Sequence, residues 1–261
     1  MTAPKNYRSA VNFELQEETN INTGSKTKVT KDWKDIDYLL KQDYGFGSQL
    51  KRKDLFKDKI ASAIANKTTD LDKAKGIYAY IQKTIKWNER NDLESLDGVK
   101  QALENHTGSS GDINIALIDA LNAGGIKTEA VMISTRAHGN LNKLYPNVGD
   151  FNYVIAKANI GDKSYFLDAT DPSLSFGMLP LRCLNDQGRV FSLDKPSYWV
   201  DISTGQSENT TYALDLTLQD NGKMKGTITR YSMGYSGYLR RKEIKKFNST
   251  DEYGESFREK L

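Results

Sequence analysis

Apolar positions along this chain switch between a period of two and a period near 3.6, and the switches mark its elements. Val11, Phe13 and Leu15 alternate with polar neighbours over residues 7–17, the pattern of a half-buried strand. Trp33, Ile36, Leu39 and Leu40 fall at helical spacing before the Gly45-Phe46-Gly47 break. Leu55, Ile60, Ala63 and Ile64 predict a second helical stretch. Ala74, Ile77, Tyr78 and Ile81 then form the buried stripe of another helix, which Thr69 caps while Asp70 and Asp72 complement its dipole. A short helix is expected over 96–103, with Ser95 as its N-cap. The turn Gly108-Ser109-Ser110-Gly111-Asp112 opens the most apolar helix, 113–123, which keeps almost no polar face and so belongs in the core. Gly124 and Gly125 end it as a left-handed cap.

Strand patterns dominate from there on. Residues 128–134 read as one strand; 151–158 and 164–167 read as a hairpin turning at Gly161-Asp162; a further strand is expected near 190–193. Residues 212–218 and 224–229 alternate cleanly around Asp220-Asn221-Gly222, a second hairpin. Between the first of these strands and the next, residues 136–150 make a polar excursion longer than a plain connector, the form of a site loop. Helices followed by antiparallel strands predict an α+β architecture.

Composition narrows the function classes. The 37 Lys and Arg against 34 Asp and Glu leave a net charge of +3 with no basic stripe, which argues against nucleic acid as a partner. The run Arg240, Arg241, Lys242, Lys245, Lys246 reads as a solvated helix face. No run of eighteen apolar residues exists, so no membrane span is expected, and the first residues lack the apolar stretch of a signal peptide. The one cysteine, Cys183, excludes an internal disulfide and reads as an inert core residue. No cofactor is implied, and the Asp168–Asp171 turn lacks a twelve-residue calcium-loop pattern, so no metal site is expected.

The order of parts from about Ala74 to Arg189 resembles the transglutaminase-like, papain-type core of bacterial multidomain proteins. In that family a glycine turn presents a cysteine at the start of a buried helix, a histidine sits on a following strand, and an aspartate ends the next strand. The matching segments here are Gly108-Ser109-Ser110-Gly111-Asp112, Phe151-Asn152-Tyr153-Val154-Ile155 and Leu167-Asp168-Ala169-Thr170-Asp171-Pro172, with Leu179-Pro180-Leu181-Arg182-Cys183 continuing the likeness. The resemblance implies a Cys-His-Asp triad reduced to Ser110, Tyr153 and Asp168. It also implies a secreted, periplasmic or surface location, other domains in the same polypeptide, and a division into a β remnant over 1–30, the core with leading helices over 31–200, and the start of a β-rich domain over 201–261.

A cysteine thiol at a helix N-terminus beside an imidazolium becomes a thiolate at neutral pH; a serine hydroxyl does not, and needs a positioned base. A phenol in the base's place donates or accepts a hydrogen bond but takes no proton at pH 7. Asp168, with no imidazole to orient, is left to accept from Tyr153 or to cap the turn at Thr170. Disabling a nucleophile by design requires only the cysteine to change, so the double replacement points to natural loss. The implied function is therefore a non-catalytic module that recognises a peptide, protein or glycan. Two alternatives stand beside it: a residual hydrolase or acyltransferase using Ser110 with an unconventional base such as His138, and a purely structural spacer whose cleft is filled by side chains. Trp87, Ser109, Gly111, His138, Tyr145 and Asn152 are the expected cleft-lining residues, and Ser110 itself would serve as an ordinary N-cap if it has no other role.

Overall fold

The computed structural model describes residues 3–9, 15, 17–28, 32–143, 145–203, 205 and 207–258. The chain divides into two compact units, Met1–Pro172 with Leu179–Thr204, and Ser173–Met178 with Gly205–Leu261.

The first unit begins with a 3-10 turn at Pro4–Tyr7, whose start is held by the Ala3 amide donating to the Arg136 carbonyl at 3.0 Å. Tyr7 therefore lies in this turn and not in a strand; the rest of the strand expected over 7–17 falls mostly outside the described residues. A small hairpin pairs β1 (Glu17–Thr19) with β2 (Lys26–Lys28). Helix α1 (Trp33–Gln42) starts in a capping box made by Asp32 and Asp35. It is more than a connector. Trp33 lies under the Arg189 guanidinium at 3.7 Å, and the Asp37 carboxylate accepts from the Ser197 amide at 2.8 Å. The stretch expected to be helical around Leu55–Ile64 breaks into a 3-10 turn at Lys53–Phe56 and the single turn α2 (Ala61–Ile64). Helix α3 (Asp70–Thr84) matches its pattern: Thr69 accepts from the Asp72 amide, and Ala74, Ile77, Tyr78 and Ile81 are buried.

Two short parallel strands, β3 (Lys86–Trp87) and β4 (Thr107–Gly108), bracket α4 (Val99–Asn105). This helix starts three residues later than expected, with Gly98 at its N-cap, because Ser95 is taken by another partner: its hydroxyl donates to the Asp112 carboxylate at 2.5 Å. Helix α5 (Ser110–Ala123) is buried almost throughout, as its composition requires. Gly125, at φ +81°, carries the left-handed turn that follows it.

A five-stranded antiparallel sheet runs in the order β7-β6-β5-β8-β9, built from β5 (Thr128–Ile133), β6 (Tyr153–Ile160), β7 (Lys163–Leu167), β8 (Gln187–Phe191) and β9 (Tyr198–Asp201). Period-two alternation divides its residues between two faces. Val131, Ile133, Tyr153, Ile155 and Val190 form one, covered by Leu179, Cys183 and Ile202. Ala130, Met132, Val154 and Ala156 point the other way, where α5 lies against β5 and β6. Asn114 pins helix to sheet by donating to the Val154 carbonyl and accepting from the Ala169 amide, both at 2.9 Å.

In the second unit, β10 (Glu208–Leu218) and β11 (Met224–Met233) form a ten-pair antiparallel ribbon, followed by α6 (Gly234–Ile244) and α7 (Thr250–Arg258). Leu214 pairs with Ile228 and Leu218 with Met224, so one face of the ribbon is apolar, and these side chains are exposed. The basic run on α6 is not wholly solvated: Arg241 donates twice to the Ser173 carbonyl, and Lys245 reaches the Ser173 hydroxyl at 3.0 Å.

Asp119 is the misfit of the α5 core. It is fully buried, and neither carboxylate oxygen has a hydrogen-bond partner. Burial pushes its carboxyl up to about 8; the Arg52 backbone and the charges of Arg52 and Lys53 offset part of this without completing a bond to either oxygen. The native state then holds a proton that the unfolded chain releases near pH 4, so this group favours folding most below that pH, and its contribution is lost as pH rises toward 8. Asp119→Asn is expected to remove that slope. Urea unfolding between pH 5 and pH 8 should show the wild type losing on the order of 4 kcal/mol more than the variant.

Candidate functional site

The turn before α5 is shaped by a loop that crosses its N-terminus. Ser109 is the N-cap, its hydroxyl accepting from the Asp112 amide at 3.3 Å while the Asp112 carboxylate accepts from the Ser109 amide at 2.8 Å. Ser110 is thus the first helical residue and not the cap expected of it. Its amide donates to the Arg90 carbonyl at 3.0 Å. Its hydroxyl accepts from the Asp92 amide at 2.8 Å and donates to the Asp92 carbonyl at 2.9 Å. Gly111 makes the crossing possible, because a Cβ there would lie 2.1 Å from the Glu94 carbonyl oxygen. Ser110 has no solvent exposure, and its hydroxyl meets backbone alone, with neither an imidazole nor an ammonium among its partners.

Tyr153 begins β6 beside Ile133 of β5, and Asp168 directly follows β7. Both are fully buried. The phenol donates to Asp168 Oδ2 at 2.7 Å. Asp168 Oδ1 accepts from the Thr170 amide at 2.8 Å and from its hydroxyl at 2.6 Å, so the carboxylate holds Tyr153 and caps the Thr170 turn together. Tyr78 of α3 donates to the Asp168 carbonyl at 2.9 Å, fixing the backbone behind it.

The residue that completes this cluster is Arg182. Its Nη2 donates to the Tyr153 hydroxyl at 2.9 Å and to Thr170 Oγ1 at 2.6 Å, and stands 3.9 Å from Asp168 Oδ2. Its guanidinium lies 4.2 Å from the Trp87 ring centre, and the Trp87 indole N–H donates to the same Arg90 carbonyl that accepts from Ser110. Trp87 and Arg182 thereby link the Ser110 turn to the Tyr153–Asp168 pair. Asn114, one turn beyond Ser110, binds the residues that follow Tyr153 and Asp168, which brings the α5 N-terminus into the neighbourhood of both. Sequence reading passed over Arg182, although it stands inside the Leu-Pro-Leu-Arg-Cys segment noted for its likeness to the family.

The electrostatics follow from burial. Burial, then the Asp168 charge, raises Tyr153 well above an ordinary phenol, so it stays protonated and donates. Burial and Asp168 likewise raise the Cys183 thiol, which donates weakly to Asp168 Oδ2 at 3.6 Å and is no thiolate at neutral pH. Burial disfavours the Arg182 charge, but Tyr153 and Asp168 outweigh it and leave the guanidinium above its usual range.

The other expected cleft residues scatter around this cluster. Asn152 is pinned to Thr135 by two hydrogen bonds, of 2.8 and 3.0 Å. It lines an open groove of about 310 Å³ with Asp92, Leu93, Glu94, Val148 and Phe151. Glu94 is raised above an ordinary carboxyl by partial burial, then by Asp43 and Asp92. Ser109 lines a smaller cavity of about 130 Å³ on the other flank of the turn. Gly111 lies beneath the crossing loop. Tyr145 is half exposed. His138 does not reach Ser110: its Nδ1 meets the Ser134 hydroxyl at 3.1 Å. Its loop is held down by Ser134 and Asn185, both donating to the Gly139 carbonyl. Among the described residues no group of histidine, cysteine or carboxylate side chains is placed to hold a metal.

Comparison with known proteins gives this geometry a family context. No curated protein matches the chain. A solved candidate protease from Parabacteroides distasonis is 17% identical, covering 76% of this chain and 37% of its own, with a TM-score of 0.49. A candidate cysteine protease from Cytophaga hutchinsonii is 11% identical over 69% of this chain and 51% of its own, with a TM-score of 0.37. A structure described as a TGase is 14% identical over 52% of this chain and 36% of its own, with a TM-score of 0.34. The chain thus spans between about a third and a half of the length of these proteins. Residues 58–166 match the family model of the Transglutaminase-like superfamily, a span that contains both Ser110 and Tyr153. Residues 58–166 are thus a transglutaminase-like segment of the chain.

Proposed function

We propose that this chain is a catalytically inactive transglutaminase-like domain, serving as a binding or scaffold module in a larger secreted or surface bacterial protein. The observation that carries the reading is the saturated, buried Ser110 hydroxyl, which both donates to and accepts from the Asp92 backbone. A serine nucleophile needs a base within hydrogen-bond reach, and the position aligned with the family's histidine holds a protonated phenol locked onto Asp168. The groove beside the sealed positions supports a docking role for a peptide, protein or glycan, because Asp92 and Asn152 bring it to the edge of the former cleft. The secreted or surface setting rests on the family resemblance in the order of parts.

Incubation with a fluorophosphonate, followed by intact mass measurement, is expected to leave Ser110 unmodified. A stoichiometric adduct on that residue would sink the reading and restore the serine hydrolase. The double variant Ser110→Cys with Tyr153→His should also gain no amine incorporation into a glutamine peptide, since Trp87 and Arg182 still link the two positions; measurable turnover would show that the site is only two substitutions from activity. Finally, Arg182→Met strands the buried Asp168 carboxylate without its cation. Urea denaturation should show a loss of about 3 kcal/mol, against about 1 kcal/mol for Tyr153→Phe.

A further inference from the structure

A second concavity lies at the far end of β5 from Tyr153. Thr128 at the start of that strand lines it, whereas Tyr153 pairs with Ile133 at the other end, about 17 Å away along the strand. Its volume is about 490 Å³, within the range of small-ligand pockets. Half-buried Leu50 and Leu193 offer its apolar surface, backed by the buried side chains of Ile118, Ala130 and Phe191 between α5 and the β5–β8 pair. Lys51, Lys53 and Lys127 stand on the rim with two carboxylates, Glu129 and Asp194.

The rim charges do not cancel locally. The Glu129 carboxylate is already committed to Lys157 at 3.0 Å and to Asn159 at 3.1 Å. Lys51 is turned to the Lys41 carbonyl at 3.2 Å. Asp194 accepts from the Ser192 hydroxyl at 2.5 Å, which holds its carboxyl low ahead of the weaker pull of Lys195 and Lys127. Among the described residues neither the Lys53 nor the Lys127 ammonium group has a hydrogen bond or an ion pair, although Lys127 feels the charges of Glu129 and Asp194, and both side chains are exposed. An apolar floor beneath two unpaired ammonium groups is complementary to one class of molecule, a small organic anion with an apolar body.

We propose that this pocket binds such an anion, with the carboxylate of an aliphatic or aromatic acid at Lys53 and Lys127 and its hydrocarbon against Leu50 and Leu193. The site is separate from the triad positions, so it stands or falls independently of their inactivity. The probe is 3-phenylpropionate, with the neutral 3-phenylpropanamide as its control, titrated into the whole chain while backbone amide shifts are followed by NMR. Saturable shifts are expected at residues 127–130 and 191–194 with a Kd of about 1 mM or lower, and binding of the amide should be roughly tenfold weaker. The variant Lys53→Gln with Lys127→Gln changes only exposed side chains and should keep the native spectrum while losing about tenfold in affinity for the acid. The proposal is overturned if the acid fails to saturate by about 10 mM, if acid and amide bind alike, or if the double variant binds the acid unchanged.

Discussion

A carboxylate with no exposure to water has to find its solvation inside the protein, and Asp168 sets that requirement for the whole centre of the first unit. Four groups meet it. Tyr153 arrives from β6, the Thr170 amide and hydroxyl from the turn after β7, and Cys183 from the segment leading to β8. Arg182 supplies the countercharge indirectly, through the Tyr153 and Thr170 hydroxyls it binds. Because these groups come from separate stretches of chain, the carboxylate joins both ends of the sheet's curved face into one polar knot. Asp168 thereby orients a phenol and a turn at once.

Trp87 extends the knot to the helix. It stacks on Arg182 and shares the Arg90 carbonyl with Ser110, so the Ser110 turn and the Arg182 cluster are parts of one arrangement. Serine fits this arrangement well. Its hydroxyl satisfies both the backbone donor and the backbone acceptor of one residue, Asp92, which a larger, weakly hydrogen-bonding thiol would do less effectively.

Much of this was legible in the sequence wherever periodicity or a motif carried it. The apolar run of α5, the stripe of α3 and both hairpins declared themselves because their burial pattern is local. Asp168 could be assigned its two hydrogen-bond roles because they follow from its neighbours in sequence and from a tyrosine in the histidine position. Ser95 and Ser110 were misread as caps for a different reason: each is engaged by residues 17 or 18 positions away, and cap rules see only the adjacent turn. Arg182 was invisible as a site residue because its partners lie 12 and 29 positions back, and nothing in an Leu-Arg-Cys triplet announces a buried guanidinium. Short strands such as β3 and β4, with two residues each, leave no period to read.

The strand order β7-β6-β5-β8-β9 also governs how the molecule assembles in time. β6 and β7 are hairpin neighbours and can zip locally, and β5 joins β6 across one loop. β8 must instead travel back past this hairpin to reach the free edge of β5, where Val190 meets Val131 across a separation of about sixty residues. The segment that carries it there also carries Arg182. Arg182 finds Thr170 and Tyr153 only 12 and 29 positions away, a smaller loop to close than the one that seats β8, so the polar knot asks less chain entropy than the sheet edge it sits beside.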